Sequence, residues 1–494
     1  MGGAARLGDH LSYSVQEGAH EYDSNDARRG EPAAAVLRTV VCFRSGLKAL
    51  LVAAFGVALG AMSPARECRA DPLHESVAHL YEMRGSLPLW FVDQRLTAAG
   101  RAMLQELGHA EARGLRSRDY DAAHLQNAVA GLDAKSADSL PIGSLDFALS
   151  VSAARLATDL HSGRVNPREV GYDLDLPHPH PDFGAVLTAL ATTPNVPAAL
   201  DALEPPFRHY RLLKEALADT RRSDSEIRKI ELTLERVRWL PAKLDSPPIF
   251  VNIPQFKLFA FRTTDDFAQD ILQMNVIVGA AFKERETPVF AADMRYIVLR
   301  PYWDVPMSIM RKEYLPLMRA SASWAERNGF EIVRGQTDAA VVMPPTPENI
   351  ELLAQGKLRL RQKPGPNNAL GLVKFMLPNR HNVYLHDTPV QSLFKKSKRA
   401  FSHGCIRVSN PMSLLAHVLR DDSEWTQDRI DAAFDSGETM RIPLKKPVRV
   451  FIIYGTALAT EAGETLFFDD LYQHDSRLET ALDARSLRLA QDRP

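Results

Sequence analysis

Cys405 is the residue of this chain whose type and neighbours point most directly to chemistry. The sequence contains three cysteines, and the other two, Cys42 and Cys68, lie in a segment that we interpret below as a removable export signal. Cys405 would then be the lone thiol of the mature protein, and a lone cysteine cannot form an internal disulfide. An isolated cysteine is often a small buried apolar residue. Its surroundings must therefore decide between a structural and a nucleophilic role.

The residues around Cys405 favour a nucleophile. Gly404 has no side chain, so the backbone can bend closely there and present amide groups, and His386 and His403 are two candidate bases for the thiol. A zinc site built from the two histidines and the cysteine is less well supported, because it lacks the paired Cys-x-x-Cys or His-x-x-x-His spacing typical of such sites. We therefore predict a catalytic cysteine without a bound metal or other cofactor.

Two stretches around these residues resemble the catalytic signature of the L,D-transpeptidases, the YkuD-like family. They are Val383–Pro389 and Ser402–Val408. Together they have a strand that ends in histidine, a loop, and then Ser-His-Gly-Cys followed by Arg. Further segments resemble the large, periplasmic YcbB-like branch of that family: Val251–Pro254, Thr287–Phe290, Pro301–Pro306 and Asn368–Gly371. The resemblance covers residues 75–475.

The resemblance implies an acyl-transfer reaction on cell-wall peptides. Cys405 would attack the peptide bond before the terminal D-residue of a donor tetrapeptide stem and release that residue. An acceptor amine would then resolve the thioester to form a 3-3 crosslink. His386 is the expected proton donor and acceptor, with the backbone carbonyl of Asp387 orienting its other ring nitrogen. The amides of Gly404 and Cys405 are the expected oxyanion-hole donors.

Five further residues are predicted to contact substrate. Arg407 and Arg399 bring positive charge that favours a thiolate, and each would either bind a stem-peptide carboxylate or hold the loop through an internal ion pair. Ser402 and His403 precede the cysteine, and His403 is expected to shape the loop or the groove. Trp303 either lines the groove or packs in the core.

Two alternatives use the same sequence features differently. If water replaced the acceptor amine, the same cysteine would give an L,D-carboxypeptidase or a crosslink hydrolase. A non-catalytic wall-binding protein is the other alternative. A sequence without His386 or Cys405 would favour this non-catalytic alternative, but both residues are present.

Composition limits the class of protein. The 494 residues suffice for two or three domains, and 45% apolar content is ordinary for a globular protein. The 60 basic and 61 acidic residues nearly cancel, so nothing indicates nucleic-acid binding. The predicted partners are peptidoglycan stem peptides, with other cell-wall enzymes as a further candidate class.

Residues 1–70 are predicted to be a disordered N-terminus followed by a signal peptide. Positive residues precede the apolar run Ala49–Met62, which is shorter than the ~20 residues that span a bilayer. Cleavage is expected after Ala70, and an uncleaved membrane anchor is the alternative. The predicted location is the periplasm, with membrane contact only through this signal.

The remaining periodicities predict an α+β protein. Residues 71–220 have helical spacing and are predicted to form a helical scaffold domain. Residues 225–475 contain short β-branched and aromatic runs separated by Pro, Gly and Asn, which predicts a β-rich catalytic domain. Residues 307–362 interrupt these strands as an inserted capping subdomain, which the resemblance places over the substrate groove. Residues 476–494 are predicted to be a surface tail.

Overall fold

The computed structural model describes residues 72–491, except 134–139, 175, 177–181, 265–270, 283 and 338. The predicted signal segment, residues 1–70, lies outside the described residues. Within the described ranges, no helix is both long enough and apolar enough to cross a bilayer.

The N-terminal part of the described chain is helical. The apolar faces of its longest helix, Ile142–Ser162, and of the helices packed around it form one buried core. The last helix, Arg208–Ala216, instead packs its buried Tyr210 and Leu213 against the β-rich part. Thr97 caps a helix by accepting a hydrogen bond from the Gly100 amide. The helices are Pro72–Met83, Ala98–Gly108, Ala122–Asp133, Ile142–Ser162, Phe183–Thr192, Val196–Asp201 and Arg208–Ala216. A two-stranded hairpin, Phe91–Val92 with Arg95–Leu96, and the 3-10 turns Ala110–Arg113, Ser117–Tyr120 and Pro167–Val170 complete this part.

A single helix, Asp224–Arg238, leads from the helical part into the β-rich part. Ser223 and Glu226 form a capping box at its start. Near its end the carboxylate of Glu235 is fully buried and accepts hydrogen bonds from Arg164 Nε at 3.0 Å and Arg238 Nη1 at 3.2 Å. It also accepts from the backbone amides of Arg164 and Val165. Because Arg164 follows the long scaffold helix, this carboxylate joins the two parts of the protein.

Eight strands of the C-terminal part pair in a closed ring. Alternate side chains point into the ring and are fully buried, among them Val276, Ile297, Phe375 and Val450. A ring of this size is just wide enough for side chains to fill it, and closure leaves no unpaired strand edge. In ring order the strands are Leu272–Gly279, Ile406–Val408, Leu385–His386, Val373–Met376, Phe290–Leu299, Met440–Ile453, Ile249–Asn252 and Lys257–Ala260. A ninth strand, Ala400–Ser402, pairs in parallel with the end of Leu272–Gly279.

An insertion between two ring strands forms a separate unit, which we call the cap, residues 303–362. It has its own four-stranded sheet and its own apolar core. Its first and last strands pair with each other, with Trp303 opposite Gln362. In sheet order the strands are Trp303–Asp304, Arg359–Gln362, Phe330–Arg334 and Val341–Met343. The helices are Met307–Ile309, the π-helical turn Met310–Tyr314, Leu315–Ala320, Trp324–Arg327 and Pro347–Ala354.

The end of the described chain packs back onto the scaffold. The prediction of a surface tail over 476–494 is wrong for the described residues, which belong to the helix His474–Gln491. Leu478 and Leu482 are buried, and Arg485 contacts the buried carboxylate of Asp159 at 2.8 Å. The remaining elements are the 3-10 turn Gln391–Lys395, the helices Pro411–Leu419 and Gln427–Asp435, and the hairpin Ala457–Ala459 with Thr465–Phe467. The predicted α+β architecture is confirmed.

Candidate active site

The two predicted motifs meet on neighbouring strands of the ring. The strands Leu385–His386 and Ile406–Val408 run parallel, with Leu385 opposite Ile406 and His386 opposite Arg407. Because side chains alternate along a strand, the buried Leu385 and Ile406 point into the ring and their neighbours point outward. The pairing continues one residue earlier, where the Ile406 amide donates to the Tyr384 carbonyl at 3.1 Å. Cys405 therefore lies beside Tyr384, on the outer face.

The outward side chains form one cluster. Lys374 joins it from the next strand, since it lies opposite His386. The Tyr384 and His386 rings are 5.6 Å apart, and Lys374 Nζ lies 4.0 Å from the Tyr384 ring centre. Cys405 and Arg407 complete the cluster from the strand beyond. The fold thus brings the predicted nucleophile and the predicted base to one surface.

His386 is held as a neutral imidazole. Its side chain is 5% exposed, and Nδ1 donates a hydrogen bond to the Asp387 carbonyl at 2.5 Å. This bond leaves Nε2 as the acceptor nitrogen. Burial lowers the pKa of His386 to about 3, and the positive charges of Arg407 and Lys374 add to this effect. The ring can therefore accept a proton at neutral pH.

The thiol of Cys405 is also neutral in this state. Burial raises its pKa, while the Tyr384 hydroxyl and the charges of Lys374 and Arg407 oppose that shift. Its Sγ lies 3.7 Å from the Asn382 carbonyl oxygen. The resting site therefore contains a neutral thiol and a neutral imidazole, which differs from a preformed thiolate–imidazolium pair. The thiol proton would pass to the imidazole during the attack on substrate.

The carbonyl that orients His386 is itself held in place. Asp387 is buried, and its carboxylate accepts hydrogen bonds from the amides of Leu372 at 2.9 Å and Thr388 at 2.7 Å. Gly371 packs directly against this carboxylate and has a φ of +61°. A Cβ atom at position 371 would lie 2.2 Å from Asp387 Oδ2. Only glycine fits here, which explains its place beside the catalytic strand.

We expect Gly371→Ala to destabilise the protein by about 2–4 kcal/mol, through a clash with Asp387 added to left-handed strain. Acylation of Cys405 should slow at the same time, because the displaced Asp387 carbonyl orients His386. Chemical denaturation and acylation rates would measure both effects. Gly437→Ala is the matched control, since φ is +75° there and nothing lies within 4 Å of the added Cβ. Equal losses for the two variants would exclude the clash.

The loop before the nucleophile is fixed by hydroxyl groups. The Ser402 hydroxyl donates to the Cys405 carbonyl at 2.5 Å and accepts from the Gly404 amide at 3.2 Å. The Gly404 carbonyl accepts from the hydroxyl of buried Thr287 at 2.8 Å. The Gly404 N–H is used within the loop in this arrangement, and its expected role in an oxyanion hole stays a prediction. The Cys405 amide has no acceptor among the described residues and is the better-placed candidate.

Three predicted substrate contacts have structural roles. Ser402 is buried, and its hydroxyl bonds within the loop, as described above. Arg399 is also buried, and its three guanidinium nitrogens donate to the carbonyls of Val276, Lys396 and Phe256. Trp303 packs in the cap core, against which Tyr384 also packs, and it shares a hydrogen bond with the Tyr384 hydroxyl. The polar groups of these three residues are occupied inside the protein in this structure, and their roles as substrate contacts stay predictions.

The other two predicted contacts remain at the site. Arg407 lies on the outer face, where its charge acts on His386 and Cys405. His403 points toward the cap, and its Nε2 donates to Glu313 Oε1 at 2.7 Å. The structure thus separates the two histidines, with His386 on the face that carries Cys405 and His403 at the cap.

Sequence reasoning missed two members of the cluster. One is Tyr384, whose hydroxyl contacts Cys405. Its position two residues before His386 was the available signal, because residues two apart share a face of a strand. The other is Lys374, which no local sequence pattern indicates, since its place opposite His386 depends on strand pairing.

Within the described ranges, no group of three or more His, Cys, Asp or Glu side chains is placed to hold a metal ion.

Acid should destabilise the protein through its buried neutral histidines. The pKa of His386 and of His474 is lowered to about 3 and that of His209 to about 4, chiefly by burial, while the unfolded chain takes up these protons near pH 6.5. Stability is therefore lost as pH falls below 6.5, and the free energy of unfolding should drop by about 3–4 kcal/mol between pH 6 and pH 5. Asp387, whose pKa is raised by burial, opposes the loss at lower pH.

Urea denaturation of wild type and His474→Phe at the two pH values would test this expectation. The variant removes one of the three histidines, from a site packed by the rings of Tyr454 and Tyr472, away from the catalytic cluster. It should show about two thirds of the wild-type drop. An unchanged drop in the variant would contradict the assignment.

Comparison with known proteins agrees with the two-part architecture. A family model of the scaffold domain matches residues 75–217, and the YkuD model, described as the L,D-transpeptidase catalytic domain, matches residues 247–450. A Haemophilus influenzae protein named "Putative L,D-transpeptidase" is 32% identical over 262 residues, which are 53% of this chain and 51% of that protein. The chain thus spans about half the length of this curated relative.

Proposed function

Since residues 247–450 are an L,D-transpeptidase catalytic domain of the YkuD family, we propose that this protein is a peptidoglycan L,D-transpeptidase with Cys405 as its nucleophile. One observation carries the proposal. Cys405 and the neutral, oriented His386 share the outer face of two neighbouring strands. Assignment to the YcbB-like branch stays a prediction.

In the proposed first half-reaction, Cys405 Sγ attacks the carbonyl carbon before the terminal D-residue of a donor tetrapeptide stem. His386 Nε2 accepts the thiol proton as the carbon–sulfur bond forms. The Cys405 amide donates to the developing oxyanion. When the carbon–nitrogen bond breaks, the imidazolium returns the proton to the departing amine, which leaves a thioester and a free D-amino acid.

In the second half-reaction an acceptor amine attacks the thioester. His386, neutral again, accepts the amine proton and passes it to the departing sulfur. The product is a new amide bond between two stems, a 3-3 crosslink, and free Cys405. Arg407, on the same face, is proposed to bind a carboxylate of the stem peptide. Peptidoglycan stems are therefore the proposed partners.

Water is the competing nucleophile for the thioester, and its use would make the protein a carboxypeptidase or a crosslink hydrolase. The cap supports the transfer reaction, because a covered site excludes water from a reactive intermediate. The Trp303–Tyr384 hydrogen bond connects the cap to the catalytic cluster.

Incubation of purified protein with a defined tetrapeptide stem, analysed by mass spectrometry, tests the proposal. A stem dimer with loss of one D-residue per dimer supports transpeptidation, while a tripeptide alone would show hydrolysis. A carbapenem, whose strained acyl group an activated thiol can open, should leave one adduct per chain on Cys405. The matched variant is Cys405→Ala, and an adduct that persists in it would refute the nucleophile assignment.

We also propose export to the periplasm, on the basis of the apolar run Ala49–Met62 and its positive flank. N-terminal sequencing of native protein should give a start near Asp71. A start upstream of Ala49 on membrane-bound protein would contradict cleavage.

A further inference from the structure

One carboxylate of the cap contacts the loop of the nucleophile. Glu313 lies in the π-helical turn Met310–Tyr314, and turns of this kind occur frequently at functional sites. Its Oε1 atom accepts hydrogen bonds from His403 Nε2 at 2.7 Å and from Arg285 Nη2 at 3.1 Å. A single oxygen thus joins the cap to two segments of the barrel.

Both partners of Glu313 adjoin the residue before the nucleophile. His403 precedes Gly404 in the chain, and the backbone of Arg285 and Glu286 packs against it. A Cβ atom at Gly404 would lie 3.5 Å from the Glu286 carbonyl oxygen and 3.8 Å from that of Arg285. With a φ of +113°, Gly404 is in a region that only glycine adopts readily. Glycine has the least restricted backbone of all residues, so Gly404 cannot fix the conformation of the loop by itself. Contacts of the neighbouring residues must therefore hold the loop in one conformation.

We propose that Glu313 is a positioning residue, which holds His403 and Arg285 together and thereby fixes the direction of the Cys405 thiol and amide. The proposal rests on the transpeptidase function proposed above. It makes the closed cap a component of the active site as well as its cover. Acylation would then be fastest with the cap closed, while substrate entry and product release would require this contact to open.

The exposure of these side chains argues against a purely stabilising role. His403, Glu313 and Arg285 are 31%, 36% and 39% exposed, and ion pairs at such positions add little to stability. The position of reacting groups has a much larger effect on rate, since a displacement of about 1 Å can cost on the order of 10²-fold. A slower acylation of Cys405 without a loss of protein stability would therefore indicate that the reacting groups have moved.

The neighbouring residue provides a matched control. Lys312 lies in the same π-helical turn and bonds Glu284 of the same barrel segment at 2.8 Å. These two side chains are 64% and 79% exposed, and neither contacts the loop 402–405 among the described residues. Lys312→Met thus removes a contact between cap and barrel without touching His403.

The experiment measures carbapenem acylation of Cys405 by intact-mass spectrometry, with thermal unfolding measured in parallel. Glu313→Ala should slow acylation about ten- to a hundred-fold with little change in melting temperature. Glu313→Gln keeps an oxygen acceptor for both partners and should recover most of the rate, and Lys312→Met should match wild type. Glu313→Ala should cause no further loss in a His403→Ala background, because it acts through that histidine.

Several results would overturn the proposal. Additive losses in the double variant would show that Glu313 does not act through His403, and an equal loss in Lys312→Met would point to general loosening of the cap. If only transfer to the acceptor amine slowed, Glu313 would be an acceptor contact. Because carbapenem acylation needs no acceptor, it reports on Glu313 even if the natural reaction proves to be hydrolysis. Absence of a wild-type adduct would overturn both this proposal and the proposed function.

Discussion

His386→Ala is expected to slow acylation of Cys405 by about 10²–10⁴-fold at neutral pH, the usual contribution of a general base. The Asp387 carbonyl fixes one ring nitrogen and burial keeps the ring neutral, so the other nitrogen is ready to accept the thiol proton. Without this base, attack depends on the small fraction of thiolate. Raising the pH should therefore recover part of the rate, and carbapenem acylation followed between pH 6 and pH 10 would measure the recovery.

His403→Ala is the matched control for that experiment. Its ring faces Glu313 on the cap, so its loss should reduce the rate less and should respond little to alkali. Melting temperatures of both variants would establish that they are folded. Alkaline recovery confined to His403→Ala would reverse the roles of the two histidines.

Glu235→Gln is expected to destabilise the protein by about 3–5 kcal/mol, the usual cost of leaving buried charges without their partner. The substitution keeps the shape of the side chain but removes the charge that neutralises Arg164 and Arg238 in a fully buried site. Because the site joins the scaffold to the helix that enters the barrel, both parts should lose stability together. Chemical denaturation followed by circular dichroism would measure the loss.

Glu479→Gln is the control, because it removes an ion pair between helices that is half exposed. Glu479 bonds Arg228 at 2.6 Å and is 45% exposed. Its loss should cost about 0–1 kcal/mol. If both substitutions lowered the free energy of unfolding by a similar amount, burial would not explain the contribution of Glu235 to stability.

The parts of the site that sequence predicted were those set by local pattern. A histidine at the end of a strand and a cysteine after glycine can be recognised as candidate catalytic residues without knowledge of the fold. The structure places His386 and Cys405 on one face. The strand pattern was readable for the same reason, since a period of two specifies which side chains share a face.

Contacts between distant residues decided what sequence could not predict. Arg399 was a candidate substrate contact, because two of its three carbonyl partners, Val276 and Phe256, lie in distant segments that only the fold brings near. The Gly404 amide looked available until the Ser402 hydroxyl was located. The C-terminal helix looked like a charged tail, because only two of its leucines are buried and the partners of its charged and aromatic side chains are distant in the sequence.

The pairing of the first and last strands of the cap determines how the cap is attached. Because Trp303 lies opposite Gln362, the chain leaves the barrel and returns to it at adjacent points. The cap also has its own core, which Leu370 and Tyr384 connect to the ring. A unit joined by two adjacent chains can swing as one body about that junction. It can also change in length or sequence over evolution without shifting the register of any ring strand. The same cysteine and histidine can therefore be combined with caps of different shape.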